Sequence, residues 1–264
     1  MFLTVFLSCL CIGAVVGFLS GLLGIGGGLI IVPALAYLLP KLSISAAVVM
    51  PVALGTSLAS IVVTSGMAMQ AHHKNNNIPW PLTRHLMVAM GLGALTGAFI
   101  ADFLSAQTLM QIFALAVLSL ASYMLFSLKT PKEGSMPDIK LVQLIGLATG
   151  ILSSLMGIAG GAILVPVLSY FGVPLRQTIG IATACGVMVA VFGSAGYVIT
   201  GIGQAGLPSW SLGYVYLPAL LGLVTTSSVL APYGVKYAAR LPVATLKKCF
   251  ALFLILVAAK MLWP

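Results

Sequence analysis

The chain has 264 residues, of which 61% are hydrophobic and only 6% charged, with a net charge of +9 at pH 7. A soluble domain carries about 25% charged residues, so this composition excludes a water-soluble globular protein. With Asp102, Glu133 and Asp138 as the only acids, it also leaves almost nothing for carboxylate catalysis, and no enzyme is expected.

The excess apolar content is spread over several long uncharged runs, with mean hydropathy +1.18. This predicts an all-α polytopic membrane protein, multi-pass in a lipid bilayer; the alternating ten-residue strands of a barrel are missing. The Lys and Arg residues are scattered and form no stripe, so no nucleic-acid partner is expected. Their excess fits cytoplasmic loops or an electropositive approach for anions. Cys9, Cys11, Cys185 and Cys249 lie in apolar surroundings without metal spacing and read as small hydrophobes. Neither a metal nor another cofactor is implied.

In chain order, Phe2 to Leu39 is too long for one span of about 20 residues. It carries a glycine run at Gly24, Gly26, Gly27 and Gly28, which predicts a helix, a break and a short helix over Leu29 to Leu39, with Pro33 in its first turns. The N-terminus lacks a basic region ahead of its apolar run, so the first segment is expected to be retained. Lys41 and Ser43 mark a turn. Ser45 to Ala71 predicts a second helix bearing Gly55, Thr56 and Ser57. His72 to Arg84 reads as a polar loop, His85 to Ala101 as a third helix, Asp102 to Ala106 as a turn and Gln107 to Leu128 as a fourth helix. The charge-rich stretch 129–140 reads as a linker between a first repeat, 1–128, and a second, 141–264.

The second repeat retells the first. Gly150, Ser153, Gly157, Gly161 and Pro166 each follow Gly17, Ser20, Gly24, Gly28 and Pro33 by 133 residues. Leu141 to Tyr170 matches segment one, and Gln177 to Gly201 matches the second helix with Ala182-Thr183-Ala184 opposite Gly55-Thr56-Ser57. Gly203 to Gly213 is an uncharged loop with Trp210, and Tyr214 to Gly234 is the next helix. Leu241 to Phe250 matches Leu104 to Phe113, now with an offset of 137, which Gly97 and Gly234 share. The loop 72–84 is basic and its counterpart uncharged, whereas the Asp102 turn lacks Lys and Arg and its counterpart holds Lys236, Arg240, Lys247 and Lys248. Under the positive-inside rule equivalent loops then face opposite sides, which predicts inverted repeats and a first segment that enters and returns.

A twice-used, glycine-broken apolar segment points to a transporter's binding site. Irregular backbone is tolerated in hydrocarbon only where protein or a cavity covers it, and a helix starting at the break directs unpaired N–H groups and a positive dipole end at the tip. The candidate anion-binding residues are therefore Ser20, Gly24, Gly26, Gly27, Gly28, Thr56 and Ser57 in the first half, with Ser153, Gly157, Gly160, Gly161 and Thr183 in the second. Two bland readings stand beside this one. Gly13, Gly17 and Gly21 form a small-residue packing stripe, and intramembrane hydroxyls often serve only neighbouring helices. No acid lies mid-helix to relay protons.

These paired elements, Gly-x-Leu-Ser-Gly/Ser-x-x-Gly-Ile-Gly/Ala-Gly-Gly through Val-Pro, together with Gly55-Thr56-Ser57 and the two-half layout, resemble the sulfite exporter TauE/SafE family of permeases. The resemblance spans nearly the whole chain and implies about eight helices. It also implies transport of sulfite, sulfoacetate, sulfonates or related sulfur-containing anions across the cytoplasmic membrane of a prokaryote. The second half departs from the pattern at Ser154, Ala159 and Ala184, where the first has Gly21, Gly26 and Ser57. The expected function is a secondary exporter working by alternating access; the alternatives are an anion channel or an uptake permease for another small anion. A homo-oligomer is compatible with the sequence, which does not fix the oligomeric state.

Overall fold

The computed structural model describes residues 2–23, 26–42, 44–126, 138–238 and 243–262. Gly24, Ser43, Arg240 and most of the charged linker lie outside the described residues. The first half comprises α1 (Phe2–Leu23), α2 (Gly28–Leu38), a 3₁₀ turn (Pro40–Leu42), α3 (Ala46–Lys74), α4 (Trp80–Asp102) and α5 (Ala106–Phe126). The second comprises α6 (Ile139–Met156), α7 (Gly161–Tyr170), α8 (Leu175–Gly201), a two-stranded ribbon of β1 (Ser211–Leu212) and β2 (Val215–Tyr216), α9 (Leu217–Ala238) and α10 (Val243–Leu262). Among the described residues, five helices are long and apolar enough by themselves to cross a membrane. The protein is an all-α polytopic membrane protein.

Both broken segments are present, and each folds back on itself. Gly27 lies against Val16 and Ser20 of α1. α2 then descends α3 in the opposite sense: Gly28 sits at Ile61, whereas Ala36 and Pro40 share a groove with Val49 and Met50. In the second half Gly160 lies against Ser153, and α7 opposes α8 through Gly161 at Ala182 and Val165 near Ile179. At 11 and 10 residues, α2 and α7 are about 16 Å long, half the hydrocarbon thickness.

One expectation needs correction. The stretch 72–84 is not mainly loop: His72, His73 and Lys74 are the last turn of α3, and Trp80 to Arg84 begin α4. The connection shrinks to residues 75–79, closed by backbone bonds from Asn76 to His73 and from Asn77 to His72. The physical reason is that helical hydrogen bonding continues past the apolar stretch into the polar flank, with Pro79 capping α4 and Pro81 tolerated in its first turn. The segment 203–213, expected as plain loop, leads into the ribbon, where Ser211 pairs with Tyr216 and Leu212 with Val215.

The halves interlock. α1 is seated on α9, running parallel to it: Cys9 meets Gly222, Thr226 donates to the Leu10 carbonyl at 2.8 Å, and Gly17 meets Ser227. α4 is seated on α6 in the same way, with Leu86 at Gly146 and Met90 at Gly150. The two seams are copies of one another. Gly13 and Gly17 face Leu223, Thr226 and Ser227; the residues 133 further on, Gly146 and Gly150, face the residues 137 earlier, Leu86, Ala89 and Met90. By contrast α3 and α8, equivalent helices, run antiparallel through the centre, with Gly55 at Tyr197, Leu58 at Gly193 and Ser65 at Gly186.

Backbone approaches backbone at these seams because no side chain stands between them. A Cβ on Gly17 would lie 2.5 Å from the Cα of Ser227, and one on Gly150 would strike the Met90 carbonyl. Overpacking of this kind costs about 1–3 kcal/mol or more. Gly17→Val and Gly150→Val are expected to lower the thermal unfolding temperature in detergent by several degrees. Gly66→Val, where nothing lies within 4 Å of the added Cβ, is expected to leave it unchanged.

Candidate functional site

The two breaks are built on left-handed glycines. Gly27 (φ 76°) caps α2 and Gly160 (φ 76°) caps α7, and neither helix N-terminus receives a side-chain hydrogen bond. The cap carbonyls turn inward: Gly27 accepts from the N–H groups of Ile30 and Ile31, and Gly160 from those of Ile163 and Leu164. A β-carbon at such a φ costs roughly 1–2 kcal/mol, so the 133-residue repeat preserves glycine at the position that needs it. Besides the caps, Gly26 (φ 77°) is left-handed in the first half and Gly157 (φ 63°) in the second; Gly24, the counterpart of Gly157, lies outside the described residues. Ala159, which stands where Gly26 does, is not among the positive-φ residues. At this position the sequence departure is matched by a change of backbone conformation.

The tips touch. A Cβ on Gly26 would sit 3.1 Å from the Cβ of Ala159, and one on Gly28 would strike the Gly157 carbonyl and lie 3.0 Å from the Cα of Ile158. Between and beside them is a crevice of about 30 Å³ lined by Gly26, Ser65, Ala159, Gly161, Ala182 and Thr183, with Val165 and Ile179 at its edge. That volume admits a water or two, not a multi-atom anion, so occupancy requires the tips to part.

The candidate hydroxyls separate into groups. Thr183 lines the crevice, its hydroxyl donating within its own helix to Gly180 at 2.9 Å. Ser20 and Ser153 occupy equivalent places beside the cap glycines: Ser20 Oγ is 3.6 Å from the Cβ position on Gly27, and Ser153 Oγ is 2.8 Å from that on Gly160. Ser153 is fully buried, and its hydroxyl has no hydrogen-bond partner among the described residues. Ser57 is engaged in holding the second break, donating to the Gly157 carbonyl at 2.7 Å across the two halves. Thr56 is likewise committed, its hydroxyl accepting from the Tyr216 N–H at 3.0 Å. Thr56 and Ser57 therefore fasten the ribbon and the α6 terminus and do not line the crevice. Ser65, eight residues past Ser57 on α3, lines it and was not among the sequence candidates; its only sequence signal is a hydroxyl on a central glycine-bearing helix.

Around the ribbon a polar set joins it to α4, α6 and α8. The Tyr214 hydroxyl donates to Asp102 at 3.2 Å, the Tyr214 N–H to the Tyr197 carbonyl at 3.1 Å, and the buried Tyr197 hydroxyl to the Ser154 carbonyl at 3.2 Å. Asp102, one of three acids in the chain, thus ties the end of α4 to the loop ahead of α9.

A pair of back-folded broken helices meeting inside an interlocked helical bundle is the architecture of a membrane transporter, with irregular backbone only where protein covers it. The model of the sulfite exporter TauE/SafE family matches residues 9–261, and the chain belongs to that family. It is 42% identical over 259 residues to a protein named probable membrane transporter protein from Haemophilus influenzae, covering 98% of each chain. It is 26% identical to one of the same description from Methanocaldococcus jannaschii, covering 85% of this chain and 83% of the relative. A third such protein, from Bacillus subtilis, is 22% identical over 74% of this chain and 79% of its own. No solved structure matches. Family and relatives indicate a membrane transporter; the relatives are named as transporters, not as enzymes.

Ser57→Ala is expected to reduce stability by about 1 kcal/mol, the worth of one buried hydrogen bond, read as a lower melting temperature in detergent. Thr183→Val is expected to leave melting unchanged while altering transport. Equal melting of both variants and wild type would remove the structural role given to Ser57.

Proposed function

We propose that this chain is a secondary transporter that exports sulfite or small organosulfonate anions across the cytoplasmic membrane of a prokaryote. It works by alternating access, with the anion held between the two glycine tips. The observation that carries the reading is the pairing of two helix starts without side-chain caps, each begun by a left-handed glycine, around one crevice, with the buried hydroxyl of Ser153 unpartnered beside one of them. Each helix start brings about half a positive charge and first-turn N–H groups, of which the Gly28 N–H of α2 is already taken by the Gly26 carbonyl at 3.0 Å. Such ends hold oxyanions without a cationic side chain, and Ser20 and Ser153 add hydroxyl donors, to which Thr183 adds one only by giving up its bond to the Gly180 carbonyl.

Inversion of the repeats is part of the proposal. It is supported by the antiparallel course of the equivalent helices α3 and α8 and by the copied seams of α1 on α9 and α6 on α4. Because of those seams the moving bodies are not the two sequence halves. Each body combines helices from both, α1 with α9 and α4 with α6, and the tips part where the bodies meet.

The test is uptake into liposomes of purified protein, with sulfite, thiosulfate, taurine and sulfoacetate, with and without a proton gradient. Saturable, counterflow-stimulated flux of sulfite or a sulfonate is expected. Gly27→Val and Gly160→Val are expected to abolish it while leaving insertion intact, since each forces a β-branched side chain onto a left-handed residue against Val16 or Ser153. Wild-type rates in both variants would end the site assignment. Single cysteines at Asn76 and Gln204 are expected to be labelled from opposite sides of the membrane; labelling from one side would end the inversion.

A further inference from the structure

Away from the glycine tips, two cations gather on a single aromatic ring. Lys41 Nζ lies 3.8 Å and Lys260 Nζ 4.4 Å from the ring centroid of Tyr37, so the two charges are no more than about 8 Å apart. Lys41 follows α2, and Lys260 stands in the last turn of α10; the chain brings them together from its two ends. Ring contact with one cation is an ordinary attraction. Two ammonium groups on one ring repel one another, and among the described residues no carboxylate bridges either of them. Of the three acids, Asp102 is bonded by Tyr214, Asp138 stands at the start of α6 and Glu133 lies outside the described residues. Among the described residues the cluster is a pair of positive charges without a carboxylate partner.

Beside it opens a groove of about 510 Å³ between α2, α3, α5 and α10. Its walls include Ala36 and Pro40, which flank Tyr37, and Met261, which adjoins Lys260; Val49, Met50 and Met110 continue the apolar lining. The volume is that of a ligand-sized site, and apart from Gln107 and Gln111 on α5 the lining is apolar, so it offers a small hydrophilic anion little. A ligand satisfying both parts must carry a negative head on an apolar tail. Lysines at helix ends reach toward the headgroup level of a bilayer, and basic pockets between membrane helices hold anionic lipid heads.

The geometry points to a binding site for one anionic phospholipid, its phosphate between Lys41 and Lys260 and an acyl chain in the groove of α2, α3, α5 and α10. This site is separate from the tips and stands whether or not they carry an anion.

The full-length protein, delipidated and reloaded in detergent with phosphatidylglycerol or phosphatidylcholine of identical chains, is examined for retained lipid by native mass spectrometry. Wild type is expected to retain phosphatidylglycerol about tenfold better, and Lys41→Gln with Lys260→Gln is expected to erase that preference. Ala106→Phe, which fills the groove and leaves both lysines in place, is expected to lower phosphatidylglycerol retention with an unchanged size-exclusion profile. Lys140→Gln, at the start of α6, is the control and keeps the wild-type preference. Equal retention of the two lipids by wild type would overturn the proposal, as would an unaltered preference in the double variant. Full retention by Ala106→Phe, or displacement of the lipid by millimolar inorganic phosphate, would show that the groove takes no acyl chain and overturn it equally.

Discussion

A chain that leaves its helical hydrogen-bond ladder inside hydrocarbon must have its freed N–H and C=O groups covered by something other than lipid. Here each break is covered by the other. Gly26 abuts Ala159, Gly28 fits against the main chain of Gly157 and Ile158, and Ser57 reaches from the first half to the Gly157 carbonyl. Each interruption is buried partly by its own half, Gly27 by Val16 and Ser20 and Gly160 by Ser153, and partly by the other. A half alone would present a glycine tip and two uncapped helix ends to the membrane.

The same dependence explains the interlocking. For the tips to meet, the helices that carry them must pass close to the opposite half. Close passage requires main chain on main chain, and glycine at Gly13, Gly17, Gly146 and Gly150 is what permits it. The stripe that reads in sequence as ordinary small-residue packing is therefore what aims the tips at each other. Packing and site are two consequences of one glycine pattern, so the opposition between a packing reading and a binding reading is less sharp than residue types suggest.

Much of this was legible because repetition constrains it. The offset of 133 located the breaks, and the caps fall on Gly27 and Gly160 at that offset with matching φ. The short helix after the break followed from segment length against bilayer thickness, and the entry and return of the first segment from the charge asymmetry of equivalent loops. What was not legible depends on contacts distant in sequence. Nothing in Gly55-Thr56-Ser57 announces that Thr56 is taken by the Tyr216 N–H, 160 residues away, or that Ser57 is spent on a carbonyl of the other half. A hydroxyl in a membrane helix has the same composition whether it faces a ligand or a neighbour, and only the fold decides. The ribbon ahead of α9 was missed because two-residue strands carry no periodicity. The extension of α3 to Lys74 was missed because polar residues at a helix end look like loop.

The two halves are copies, but their surroundings in this structure are not. Gly28, Leu29, Ile30 and Val32 of α2 are buried, whereas the equivalent Gly161, Ala162, Ile163 and Val165 of α7 are only half-buried. The ribbon is fastened to α3, α4 and α8 through Thr56–Tyr216, Tyr214–Asp102 and Tyr214–Tyr197; the crevice is lined by Gly161 and Val165 of α7 and Thr183 of α8. On the reading proposed above, exchanging these environments between the halves generates the opposite access state, as for inverted repeats generally. The energetic requirement is modest. Releasing the ribbon breaks about three hydrogen bonds at roughly 1 kcal/mol each, some of which water restores. A difference of that size lies within the few kcal/mol by which a ligand's differential affinity shifts a two-state equilibrium. On that reading, the bonds that hold the ribbon are strong enough to favour one state and weak enough for an anion between the tips to overcome.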